Sequence, residues 1–299
     1  MAETTTAPVR CDVVHHLKIK GISRPYKLMH VTDVHIATAY PEEPDEMQAE
    51  AQLRGGQYFP PFGGFSAGSR FPYFFQEASS LGCDGILLTG DICDFPSRSN
   101  RDILLNALSS SSVPAVYCLG NHEWSFLTNY HCDAHARKYL PEYERIVNYS
   151  SPAASSINSD LVCSSVFWKV ADFGDFLIFA FDNGCDRIAP ETLEMFRKVL
   201  KADKPVIVMC HVPFYSPTLQ EPTEKYWGRD ILLGGTAIRS DETTRSFIEL
   251  LTTKESPVCA VVAGHIHFNH EDMLGDNVFQ FTTVEGHRGN YGIIEITGY

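Results

Sequence analysis

The chain is poor in positive charge. Its 24 Lys and Arg stand against 37 Asp and Glu, a formal net charge of −13 over 299 residues. Nucleic acid and anionic membranes are bound by neutralising phosphates with Lys and Arg, so a field this acidic argues against both unless bound cations reverse it locally. Long apolar runs are missing too. Phe176–Phe181 and Val258–Ala263, the longest, are about a third of the roughly 18 residues a membrane span needs. No CxxC pair occurs among the nine cysteines, whose number is odd and spacing irregular. That speaks against a disulfide framework and a thiolate zinc site; reduced thiols and a cytoplasmic location are expected. Met1–Arg10 has no basic start and no apolar stretch, so no secretory leader is expected. Internal repeats and low-complexity linkers are absent.

What is present fits one globular domain over residues 1–299. Five short runs rich in Val, Ile and Leu read as strands buried on both faces: Lys27–Thr32, Gly85–Thr89, Ala115–Leu119, Pro205–Cys210 and Val258–Ala263. Helical patterns fall between them. Phe74, Ala78 and Leu81 share a face before Gly82, and Ser97 caps a helix carrying Leu104 and Leu108. Pro190 opens another with Leu193, Phe196 and Leu200, and Asp241 precedes Phe247 and Leu251. This alternation indicates an α/β fold. Val166–Ala171 with Phe176–Phe181, and Val278–Thr283 with Tyr291–Ile296, read as hairpins of a second sheet, and Val13–Ile19 as an edge strand. The connections 36–70 and 212–240 are long and rich in Pro, Gly and aromatics, which marks them as functional loops.

Each buried run ends in polar donors: Asp33-Val-His35, Gly90-Asp91-Ile-Cys-Asp94, Gly120-Asn121-His122-Glu123, His211 and Gly264-His265-Ile-His267. In α/β sheets ligands gather at the carboxyl ends of strands. Asp33, His35, Asp91, Asn121, His211, His265 and His267 are seven potential ligands, more than one tetrahedral ion can use. Their Asp, His and Asn chemistry suits Mn, Fe or Zn. Two ions about 3.5–4 Å apart, bridged by a carboxylate and sharing a hydroxide nucleophile, form a clamp for in-line displacement at phosphorus.

In this order the motifs D-x-H, G-D-x-x-D, G-N-H-E, a lone His and G-H-x-H resemble the calcineurin-like metallophosphoesterase family, from Asp33 to His267. The resemblance implies a four-layer α-β-β-α sandwich of two mixed sheets. It implies one ion, divalent or trivalent, on Asp33, His35, Asp91 and His267, and a second on Asp91, Asn121, His211 and His265, with Asp91 bridging. His122 takes the place beside the leaving group, oriented by Asp94. The implied function is a phosphodiesterase or phosphomonoesterase acting on a small-molecule or nucleotide phosphate ester; a non-catalytic scaffold of the same fold is the alternative. Cys93 and Phe95 depart from the G-D-x-V-D-R-G of protein phosphatases, and no Arg precedes Gly120, so two anion-gripping arginines of that branch are missing. Phosphoprotein is therefore disfavoured as substrate. Glu123 replaces an Asp common in cyclic-nucleotide branches.

Other motifs are weaker. His131 and His135 are spaced for zinc on a helix, but Cys132 stands where a metalloprotease needs Glu. Gly63–Gly68 lacks the Gly-Lys-Ser/Thr ending of a phosphate loop. Tyr215, Trp227 and Arg288 fall in loops expected to approach the metals.

Overall fold

A computed structural model describes residues 7–126, 136–149, 165–235 and 240–299; the His131/His135 pair lies outside them. The strands are β1 (Arg10–Ile19), β2 (Tyr26–Val31), β3 (Gly85–Thr89), β4 (Ala115–Cys118), β5 (Trp168–Asp172), β6 (Leu177–Phe181), β7 (Val206–Met209), β8 (Val258–Ala263), β9 (His270–Leu274), β10 (Val278–Thr282) and β11 (Asn290–Gly298). The helices are α1 (Asp45–Leu53), α2 (Ala67–Ser80), α3 (Arg98–Ser110), α4 (Asn121–Trp124), α5 (Ala136–Tyr149), α6 (Pro190–Val199), α7 (Pro217–Trp227) and α8 (Glu242–Thr252).

The strands form two mixed sheets, ordered β1-β11-β2-β3-β4 and β5-β6-β7-β8-β10-β9. Successive side chains on a strand point to opposite faces, and this alternation builds the layers. Leu28, Leu87, Val116 and Ile294 of the first sheet meet Ile178, Ile207, Met209 and Val262 of the second. On the far side of the first sheet, Met29, Ile86 and Leu88 pack on Phe71 and Phe74 of α2, Leu104 of α3 and Tyr143 of α5. Behind the second sheet, Phe179, Val206 and Val208 pack on Phe196 of α6 and Phe247 and Leu251 of α8. Helices, sheet, sheet and helices therefore stack in four layers.

The five core strands fall where their apolar runs do. Ser97 and Asp241 cap α3 and α8, accepting from the amides of Asn100 and Thr244. β1 is an edge strand, paired with β11.

Three expectations need correction. The second hairpin does not form: β10 pairs with β8 and β9, whereas β11 crosses to the first sheet between β1 and β2. Segments 36–70 and 212–240 are partly helical. The first carries α1, a π-helical turn Arg54–Tyr58 and the start of α2; the second carries α7. Cys185 is disulfide-bonded, against the expectation of reduced thiols, while Cys11, Cys83, Cys93, Cys118, Cys210 and Cys259 are free. Among the described residues no helix is long and apolar enough to cross a membrane.

Candidate metal centre

Parallel pairing of β2 with β3 continues past both strands and brings their donors together. Asp33 N–H donates to Gly90 O, His35 N–H to Asp91 O and Asp94 N–H to Ile36 O, at 3.1, 2.9 and 3.0 Å. In the second sheet, Gly264 N–H donates to His211 O at 2.9 Å. The amide of His265 then reaches across to Asp33 Oδ2 at 2.9 Å.

The backbone is strained where the donors sit. Six described non-glycine residues have left-handed φ, and five are candidate ligands: Asp33 (50°), His35 (52°), Asp91 (51°), His265 (70°) and His267 (61°). Such conformations cost on the order of 1–3 kcal/mol each and persist where surroundings enforce them, typically at functional sites. Space is equally tight. A Cβ on Gly120 would lie 2.2 Å from Asp91 Oδ1.

All seven candidate ligands converge, in two adjacent groups linked through His35 and Asp91. His267 Nε2 lies 3.0 Å from Asp33 Oδ1, and His35 Nε2 lies 3.8 Å from the same oxygen. Around His211 Nε2 stand Asn121 Oδ1 and His265 Nδ1, each at 3.1 Å, and Asp91 Oδ2 at 3.2 Å. One potential ligand atom from each residue lies within 4.8 Å of the others in three groups: Asp33, His35 and His267; Asp91, His211 and His265; and His35, Asp91 and His122.

Two features fit this cage to cations. His211 Nε2 carries at most one proton, too few to bond well to Asn121 Oδ1 and Asp91 Oδ2 together with His265 Nδ1 crowded on the same atom. His35 Nε2 is buried and has no hydrogen-bond partner among the described residues, which is costly without a ligand. Burial works against charge on Asp33 and Asp91. His267 and His211 outweigh it at Asp33, and His211 and His122 at Asp91, holding both carboxyls below their usual range. Burial and the neighbouring His211 depress His265 to about 3, leaving a neutral ring with a free lone pair.

His122 and Asp94 stand beside the cage. His122 Nδ1 lies 2.9 Å from Asp94 Oδ1, with Nε2 turned toward Asp91 Oδ2 at 4.0 Å. Burial opposes its imidazolium, but Asp91 and Asp94 outweigh burial and push its pKa up to about 9. Asp94 Oδ1 also meets His35 Nδ1 at 2.8 Å, so one carboxylate orients both rings.

Sequence reasoning assigns no role to several further contributors. Arg54, in the π-helical turn, grips Asp94 through Nε at 2.5 Å and Nη2 at 2.8 Å. The Glu123 carboxylate accepts from the amides of Asp91, Ile92, Cys93 and Gly120 at 2.7–2.9 Å, fixing the loops that carry Asp91 and Asn121. Asn183 Oδ1 accepts from the amides of His211 and Val212 at 3.1 and 2.9 Å. Phe59 stacks on His35, centroids 4.0 Å apart. Of the aromatics singled out above, Trp227 packs edge-on to His267 at 5.1 Å, whereas Tyr215 packs on the small cluster of Leu219, Leu232 and Ile266.

Comparison with known proteins agrees with this geometry. The family profile described as calcineurin-like phosphoesterase matches residues 26–269. Among solved structures, the chain is similar to a dimetal phosphatase from Danio rerio, with 13% identity over 87% of each chain and a TM-score of 0.51. It is also similar to a purple acid phosphatase from yellow lupin (Lupinus luteus) seeds, with 16% identity, 91% of this chain and 46% of that one covered, and a TM-score of 0.51. At these identities the likeness is one of fold. No curated protein matches the sequence.

Proposed function

Since this chain belongs to the calcineurin-like phosphoesterase family and is a metal-dependent hydrolase of phosphate esters, we propose that Asp33, His35, Asp91 and His267 hold one ion and Asp91, Asn121, His211 and His265 a second, Asp91 being shared. The observation that carries this reading is the crowding of Asp91, Asn121 and His265 on His211 Nε2, all within 3.2 Å. A bound pair of ions would supply water activation near neutral pH and positive charge for the phosphate oxygens. The donor set favours Mn, Fe or Zn over Mg or Ca.

The chain's own residues do the rest. Asp94 fixes the proton of His122 at Nδ1, which leaves Nε2 to carry a second proton toward the departing oxygen. Arg54 holds Asp94 in register through two parallel hydrogen bonds. The substrate in this reading is a small-molecule phosphate ester, because the net charge of −13 opposes polyanions and the protein-phosphatase arginines are missing. The free thiols support a cytosolic location, and the bonded Cys185 counts against it. The convergence of all seven candidate ligands supports the enzyme over the scaffold alternative. The test is a panel of monoesters, diesters, cyclic nucleotides and nucleoside diphosphate conjugates, repeated with Mn, Fe and Zn. Metal-dependent turnover of at least one class is expected. Inertness toward all of them with every metal contradicts the assignment.

A further inference from the structure

Large aromatics seldom stay in water without a reason, and here two of them stand beside the candidate metal centre. Five described aromatics are exposed: Tyr58, Phe62, Tyr226, Trp227 and the terminal Tyr299. Trp227 packs against the candidate ligand His267, and Tyr226 packs against Trp227 at 5.4 Å. Trp227 does not swing freely. Its indole N–H donates to Ile266 O at 2.9 Å, between the two histidines of the G-H-x-H motif, yet 39% of the residue remains exposed.

A fixed, partly exposed indole packed on a candidate metal ligand offers stacking surface one group away from where the phosphate ester would bind. We infer that Tyr226 and Trp227 form the subsite for the alcohol portion of the substrate, and that this portion is a planar aromatic, as in a nucleoside or aryl-bearing phosphate ester. The inference rests on the phosphoesterase assignment above and narrows its substrate class. A flexible polyol or serine ester gains nothing from such a surface.

The test uses the full-length, metal-loaded chain with three esters that all leave as primary alkoxides: benzyl phosphate, a nucleoside 5′-phosphate and glycerol 1-phosphate. Each is offered as monoester and as methyl diester, so the chemical step is matched and only the aromatic group differs. The native chain is expected to prefer the aromatic esters by at least about 10-fold in kcat/KM, the order a stacked base contributes. Trp227→Ala and Tyr226→Ala each move that ratio toward one, and Trp227→Phe restores most of it. Tyr226→Ala guards against misfolding, because this side chain is more than half exposed. Calorimetric binding of benzylphosphonate against ethylphosphonate reads the subsite without turnover and follows the same order. A larger gain for the nucleoside ester identifies nucleotides as the source of the aromatic group; equal gains identify simple aryl-bearing esters. No preference in the native chain, or a preference that survives both alanine variants, overturns the subsite while leaving the phosphoesterase assignment standing. Inertness toward all three esters together with loss of phosphonate binding overturns both.

Discussion

Arg54 and Asp94 meet in a two-pronged ion pair, Nε to Oδ2 at 2.5 Å and Nη2 to Oδ1 at 2.8 Å, with the carboxylate fully buried. The same carboxylate holds His35 and His122, so a residue from the π-helical turn sets the orientation of a candidate ligand and of the candidate acid. Arg54→Ala should lower kcat by roughly 10- to 100-fold, the range seen when such outer partners are lost. It should also destabilise the fold, by an amount on the order of 3 kcal/mol, because it strands a buried charge. Arg54→Lys should recover stability better than rate, since an ammonium cannot reproduce the planar fork. Steady-state kinetics and thermal melts decide; an alanine variant with native kcat removes Arg54 from the account.

His122 is placed to assist a departing oxygen. His122→Ala should cut turnover on an ester with a poor alkoxide leaving group by about 10²- to 10⁴-fold. On an activated aryl ester, which leaves without a proton, the loss should be far smaller. Equal losses on both would remove the acid role and leave His122 as a simple electrostatic contact.

Asn183 carries no charge and belongs to no motif, yet it supports His211 and Val212 through their backbone amides. Asn183→Ala leaves two buried donors unpartnered and should cost on the order of 1–3 kcal/mol. Metal should be lost first from the His211 side, visible as one ion dissociating at lower chelator concentration than the other. Unchanged stability together with unchanged metal retention would show that the amides find other partners.

Much of this centre is legible in the sequence, for a physical reason. Strands buried on both faces show as unbroken apolar runs, and at their carboxyl ends the chain turns to donors and glycines. Asp33, Asp91, Asn121, His211 and His265 therefore announce themselves by position. The crossing of β11 does not. Residues 284–289 are short enough for a hairpin, and only the pairing of Gly292 with His30 and Val13 shows that they carry the chain from one sheet to the other. α7 has ordinary start and stop signals in Ser216, Pro217 and Gly228, but Pro222 inside it disguises the helix. Arg54 is hidden for a different reason. Its partner lies 40 residues away, and no local pattern connects a Gly-flanked arginine to a distant carboxylate.

The shared position of Asp91 is the claim on which the centre depends, and metal stoichiometry tests it most directly. Elemental analysis of the native chain after reconstitution and gel filtration should give two ions per chain. Asp91→Ala, folded by circular dichroism, should give close to none, because both groups of ligands lose a member. A single ion in the native chain, or two retained by Asp91→Ala, would contradict the account.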